Sequence, residues 1–202
     1  MKFILFLRAI NIAGQNIIKM VELRSSLEKI KEFQNVKTYI QTGNIILDCD
    51  TYDHSRVKLE ISYILEKEFK VKSPQISVFD LEGYKKVLEN NPYKDSGVKD
   101  CKIMVYFPID KTIGHLKQQF SEDEKTDVEK DENDDNDDDD EDGNSNKSKH
   151  RDEWEVIDEV LFFKFARSYK DSKEYKNLTK LLVKIPHTTR NWRTCNKILN
   201  LC

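Results

Sequence analysis

The chain has 202 residues, 38% of them hydrophobic and 35% charged, with a formal net charge of −3, which is enough length for one large domain or two small ones around a real hydrophobic core. The acid is concentrated: residues 122–142 hold 15 Asp or Glu against 2 Lys, leaving 32 basic and 22 acidic residues elsewhere, a body near +10. No apolar run approaches the ~18 residues that span a bilayer, residues 3–7 are too short for a signal-peptide core, and Cys49, Cys101, Cys195 and Cys202 show neither CxxC nor Cys/His spacing, so membrane, secreted, zinc-binding and disulfide-framework classes fall away and a cytoplasmic protein with reduced thiols is expected.

Residues 2–7 form a nearly continuous apolar run suited to a central strand buried on both faces. A turn-like stretch over residues 11–16 follows, and Met20, Leu23, Leu27 and Ile30 then recur with the spacing of one helical face. Residues 36–40 and 45–47 are β-branched or aromatic runs separated by Gln41, Thr42, Gly43 and Asn44, the composition of a hairpin turn. Val57, Ile61, Ile64, Leu65 and Phe69 predict a second amphipathic helix, and Ile76, Val78 and Phe79 a further strand after Pro74. The order β-α-β-β-α-β is the split βαβ pattern of ferredoxin-like folds.

Asp80 is a candidate cap for a short helix through Tyr84 and Leu88, stopped by Asn90, Asn91 and Pro92. Residues 102–107 read as a strand, 112–120 as a weak helix, and 154–157 with 160–165 as a hairpin across Asp158 and Glu159. Tyr175, Leu178 and Leu182 share a helical face, with Asp171 or Ser172 as its cap, and Trp192, Cys195 and Leu199 share a face of a last helix capped by Thr188 or Thr189. The second half therefore reads β-α-β-β-α-α, a worn copy of the first. The fold class expected is α+β, with two ferredoxin-like units of antiparallel sheet over residues 1–90 and 91–202.

The second unit is interrupted at residues 121–149, whose acidic, polar composition cannot offset the entropy of ordering it, so an acidic, disordered insertion is expected. Asp138, Asp140, Asp142 and Gly143 match positions 1, 3, 5 and 6 of a calcium loop, but Lys149 stands where the bidentate Glu belongs, so no metal site is read from it.

Several runs taken together carry a resemblance. Leu7-Arg8-Ala9-Ile10-Asn11-Ile12-Ala13-Gly14, Lys19-Met20 with Leu23-Arg24, Thr38-Tyr39-Ile40-Gln41-Thr42-Gly43-Asn44, Asn91-Pro92-Tyr93 and Thr188-Thr189-Arg190-Asn191-Trp192-Arg193-Thr194 with Asn196-Lys197 resemble the motifs of the uncharacterised domain-of-unknown-function 1697 family. The family pattern normally has glycines where this chain has Ala9 and Ala13, and glycines before a Ser-Lys pair that looks like Ser172-Lys173. The departures matter because alanine adds a Cβ where glycine lets backbone approach a ligand. The resemblance implies an α+β fold of two ferredoxin-like units and implies no reaction.

Read from the residues themselves, the motifs supply donors and amides with few candidate bases. On a helix starting after Thr188 or Thr189, Arg190, Arg193 and Lys197 fall on one face opposite Trp192, Cys195 and Leu199, and Arg190 and Asn191 sit beside the free N–H groups of its first turn, an anion site. The alternative is a solvated basic face whose arginines pair with carboxylates of the same protein. Arg8 and Asn11 follow the first strand, where sites tend to be built on a rigid scaffold, although Arg8 is equally suited to holding loops through backbone carbonyls. Asn44 at the hairpin tip is either turn chemistry or an amide for a polar ligand. Ser172 and Lys173 are candidate phosphate contacts or simply a helix start. His54, His115 and His150 fit surface positions, whereas His187 lies where it could transfer a proton beside a bound anion. There is no GxxxxGK[ST], GxGxxG or HExxH, so P-loop hydrolysis and zinc-peptidase chemistry are unsupported and no cofactor is implied.

Three functions follow as expectations. The first is a binding protein for a phosphate-bearing or other anionic ligand, with nucleic acid a weakly supported partner because no aromatic stacking run lies on the strands. The second is an enzyme acting on a small phosphorylated or carboxylated metabolite, with Arg8 and Arg190 clamping it and Lys173 or His187 moving a proton. The third is an interaction module in which the motif residues are structural.

Overall fold

The computed structural model describes residues 1–99, 102–109, 152–166 and 172–202. Strand β1 (Lys2–Leu7), helix α1 (Met20–Leu27), strands β2 (Gln34–Tyr39) and β3 (Asn44–Asp48), helix α2 (His54–Lys67) and strand β4 (Ile76–Asp80) follow one another as the sequence predicts. They form an antiparallel sheet of order β2-β3-β1-β4, the ferredoxin-like order in which β1 is central. Asp53 caps α2 by accepting a hydrogen bond from the Arg56 amide at 2.8 Å. Helix α3 (Leu81–Glu89) follows β4 at once, its N-terminus fixed by the Asp80 carboxylate, which accepts from the Gly83 amide at 2.6 Å.

The second sheet comprises β5 (Ile103–Pro108), β6 (Glu153–Ile157), β7 (Val160–Lys164) and β8 (His187–Asn191), antiparallel in the order β6-β7-β5-β8, the same order by rank as the first. Asp158 and Glu159 join β6 to β7 with positive φ at both positions (48° and 66°), the signature of a tight hairpin turn whose twist matches its strands. Helix α4 (Lys173–Leu182) is capped by Ser172, whose hydroxyl accepts from the Tyr175 amide at 2.8 Å. Helix α5 (Trp192–Leu199) ends the chain's regular structure.

One expectation is corrected. Residues 187–191 form a strand, and the cap of α5 is Asn191, which accepts from the Thr194 amide at 2.8 Å, rather than Thr188 or Thr189. The second half thus contains a fourth strand where the sequence reading saw only the approach to a helix. The reason is physical: the inward positions of β8 are Thr188 and Arg190, polar residues buried through hydrogen bonds, so no apolar alternation marks the strand. The helix expected over residues 112–120, the insertion at 121–149 with its calcium-like spacing, His115, His150 and Cys101 lie outside the described residues.

The apolar run of β1 serves two cores. Phe3, Leu5 and Leu7 pack with α1 and α2, while Ile4 and Phe6 face the other way into a core shared by both sheets. There Phe6 stacks on Phe107 of β5 with ring centroids 4.4 Å apart, and α3 and α5 wedge into the same layer through Tyr84 and Cys195. The Tyr84 hydroxyl donates to the Cys195 carbonyl at 3.0 Å, and burial pushes the Cys195 thiol up to about 12, the mark of a packing residue rather than a reactive one. On its far face the second sheet packs Tyr106, Leu161 and Phe163 against Leu178 and Leu182 of α4. No helix among the described residues is long and apolar enough to cross a membrane.

Candidate functional site

The end of β1, the loop that follows it, the β2–β3 turn and β8 meet at the seam between the two sheets. The meeting is possible because Gly43 has no side chain: a Cβ there would lie 2.6 Å from Ile10 Cδ1 and 2.7 Å from Leu7 Cβ, and its φ of +76° is one that L side chains rarely adopt. With the turn held so close, the Leu7 amide donates to the Gly43 carbonyl at 2.8 Å.

The loop after β1 is fixed by its own amides. Asn11 accepts from the Ile18 amide at 2.8 Å and donates to the carbonyls of Ile18 and Gln41 at 3.0 and 2.8 Å, so its side chain staples the loop to the β2–β3 turn. Asn16 donates to the Ala9 carbonyl at 2.9 Å, and the Gln15 amide to the Ile12 carbonyl at 2.9 Å. Four non-glycine residues of this loop, Ala9, Asn11, Ala13 and Asn16, hold φ between +47° and +53°. Asparagine tolerates that region through local hydrogen bonds, but alanine pays a steric cost there. Ala9 and Ala13, the positions where the resemblance set out above implies glycine, are the two alanines of this loop in left-handed backbone.

Arg190 crosses from β8 into this seam and is 6% exposed. Its Nε donates to Asn44 Oδ1, its Nη1 to Thr188 Oγ1 and the Thr189 carbonyl, both at 2.8 Å, and its Nη2 to the carbonyls of Thr42 at 2.7 Å, Leu7 at 3.1 Å and Gly43 at 3.4 Å. The guanidinium also lies over the Phe6 ring, 5.2 Å from its centroid. Every partner is neutral. Burial lowers its pKa to about 10, which leaves it charged at neutral pH. Asn44 completes the clamp by donating to the Tyr39 carbonyl at 2.8 Å and to Thr42 Oγ1 at 3.1 Å.

Beside the clamp opens a cleft of about 350 Å³, lined by residues 7–12, Gln41, Thr42 and residues 187–190. Arg8 is half-buried on its wall and donates from Nη1 to Gln75 Oε1. Opposite strand β5, the His187 ring lies 5.6 Å from that of Tyr106, and its Nδ1 is 2.7 Å from the Ile185 carbonyl. A carbonyl only accepts, so Nδ1 carries the proton and the neutral ring keeps its lone pair on Nε2. Burial, then the nearby positive charge of Arg8, hold the His187 pKa below its ordinary value against the raising effect of the Ile185 hydrogen bond.

Of the residues singled out from sequence, Arg8, Asn11, Thr189 and Arg190 line this cleft, and Asn44 stands directly behind it on Arg190. Asn191 is occupied as the cap of α5, and Ser172 as the cap of α4. Ser172, Lys173, Arg193 and Lys197 do not line the cleft; Lys173, Arg193 and Lys197 are exposed on helices, so Lys173 is not placed to move a proton there. Because Arg190 belongs to a strand, it does not share a helical face with Arg193 and Lys197, which corrects that expectation. Sequence reasoning missed Gln75 as the partner of Arg8 and Thr188 as a member of the clamp. The Thr188-Thr189 pair was the available signal, since β-branched residues favour strands.

A family described as protein of unknown function (DUF1697) matches residues 1–133. The chain belongs to that family. The match takes in the Arg8 loop and the hairpin tip, while β8 lies beyond it. The solved structure of the conserved bacterial protein SP0830 from Streptococcus pneumoniae is similar over 99% of this chain and 97% of its own, with a TM-score of 0.67 and 22% identity. That likeness establishes the fold of the DUF1697 chain and its α+β class. A comparison with functionally curated proteins finds no significant match.

Proposed function

We propose that the cleft binds a small anionic ligand, a phosphate or carboxylate, with Arg8 as its direct charged contact. One observation carries the reading: the lining holds Arg8, Arg190 and His187 and no Asp or Glu. Neither arginine pairs with a carboxylate among the described residues, so the positive charge of the wall is uncompensated within them. The two arginines divide the work. Arg190 has its donors committed to the fold and acts as a fixed charge, whereas Arg8 is held through one Nη1 bond and keeps donors for a bidentate oxyanion. The hydroxyls of Thr42 and Thr189 and the Gln41 amide supply further polar contacts.

The experiment is a melting-temperature screen of the full chain against phosphates, carboxylates, nucleotides and short oligonucleotides. A ligand at 100 times its Kd adds about 2.7 kcal/mol, a rise of about 5 to 10 °C at this size. Arg8→Gln should abolish the rise while leaving the unliganded melting temperature within about 2 °C. No rise from any anion, or a rise unchanged by Arg8→Gln, refutes the reading, and a rise from oligonucleotides alone replaces the small ligand by a polyanion.

A second reading, an enzyme acting on a small phosphorylated or carboxylated metabolite, draws support from His187, whose unprotonated nitrogen shares the cleft with Arg8 and suits a general base. Turnover of a compound found in the screen, lost in His187→Gln with binding retained, would favour it.

A further inference from the structure

We infer that the ligand of this cleft is amphipathic, an oxyanion joined to a compact apolar body that lies on Ile12; this rests on the anion-binding reading above. The cleft is not uniformly polar. Leu7 and Ile10 form a buried apolar floor at 2% and 3% exposure, and Ile12 lines the cleft while 61% exposed. A single exposed isoleucine on a surface needs no explanation, but this one stands at the opening of a recess beside Arg8 and His187.

Nor is Ile12 free to turn inward. The Ile12–Gln15 turn is closed by its own backbone bond at 2.9 Å, the Asn11 amide donates to the Asn16 carbonyl at 3.1 Å, and the Asn11 side chain ties the loop to Ile18 and Gln41. Loop geometry thus holds an apolar side chain out over the cleft, with left-handed backbone on both sides of it at Asn11 and Ala13. Strained backbone of this kind is retained where a surrounding structure over-determines it and tends to gather at ligand sites.

Size agrees. An inorganic oxyanion fills only a few water volumes of about 30 Å³ each, so most of the 350 Å³ remains beyond the headgroup. The apolar wall available to that remainder is Ile12 and Ala9 over the buried floor, which favours a ring or short alkyl chain over a second charged group. Ligand sites commonly combine such an apolar lining with a few placed polar groups.

Calorimetric titration of the full chain with inorganic phosphate, phenyl phosphate and benzyl alcohol tests this. Phenyl phosphate should bind at least tenfold tighter than phosphate. Ile12→Ser should lower phenyl phosphate affinity severalfold and leave phosphate affinity unchanged, Ile12→Leu should restore it, and all three proteins should melt together. Equal affinities for the two phosphates, or a phenyl phosphate affinity indifferent to Ile12→Ser, overturn the inference while the anion site stands. Benzyl alcohol binding as tightly as phenyl phosphate, or no binding of any of the three, overturns the anion-binding reading itself.

Discussion

Replacing Arg190 by Met removes the clamp at similar volume and exposes its energetic role. Six acceptors are affected through the bonds to Asn44, Thr188, Thr189, Thr42, Leu7 and Gly43. They are not equal. The Leu7 carbonyl still receives the Thr188 hydroxyl at 3.3 Å, and the Gly43 carbonyl still receives the Leu7 amide. Asn44 Oδ1 and the Thr42 carbonyl lose the donor that satisfies them. Each buried acceptor left without a partner costs about 1 to 3 kcal/mol, and relief of the buried guanidinium's desolvation offsets part of that sum. The net is about 3 kcal/mol, which at this chain length lowers the melting temperature by about 6 to 12 °C. Arg193→Met is the control, because Arg193 is exposed and surface changes stay within about 0.5 kcal/mol. Calorimetric melting of the two variants decides the matter. A double-mutant cycle with Asn44→Ala should show coupling of about 0.5 to 3 kcal/mol. If Arg190→Met melts no lower than Arg193→Met, or the cycle shows no coupling, the clamp does not hold the seam.

The loop after β1 makes a prediction of opposite sign. Left-handed alanine costs about 1 to 2 kcal/mol, and glycine's added freedom in the unfolded chain returns about 0.4 to 1 kcal/mol of that, so Ala9→Gly and Ala13→Gly should each stabilise by about 0.5 to 1 kcal/mol; denaturant unfolding with a lower midpoint for either variant counts against the assigned backbone. His187 sets a pH dependence. Its folded pKa is depressed from 6.5, so its contribution to stability is present above pH 6.5 and is lost as pH falls through the folded value, because the unfolded chain then binds the proton more readily. His187→Gln should flatten that part of the stability profile measured by chemical denaturation between pH 7.5 and pH 5; an unchanged slope refutes the assignment.

Legibility followed apolar periodicity. The first sheet was readable because residues 2–7, 45–47 and 76–79 carry the hydrophobic and β-branched residues that bury them, and α2 and α4 because Val57, Ile61, Ile64 and Leu178, Leu182 repeat at helical spacing. Strand β8 was not readable from apolar alternation, since it is built inward by Thr188 and Arg190 and stabilised by hydrogen bonds that only the tertiary fold supplies, and the Thr188-Thr189 pair alone hinted at it. The same blindness affected the site. Arg8 and Asn11 could be singled out by their place after a strand, but the arrival of Arg190 beside them depends on packing of one sheet on the other. Arg190 also turned out to do what the sequence reading allowed for Arg8, holding loops by their backbone carbonyls, while Arg8 faces the cleft.

The bond from Arg190 to the Leu7 carbonyl closes a span of 183 residues. Contacts so far apart in sequence are slow to form because the entropy of closing the loop precedes the reward of the contact. During synthesis β1 and the Arg8 loop precede β8, so until that strand docks the Leu7 and Thr42 carbonyls are served by water, while the Gly43 carbonyl already receives the Leu7 amide. The cleft is thereby tied to β8: a product truncated before that strand retains Arg8 yet lacks the wall that residues 187–190 supply.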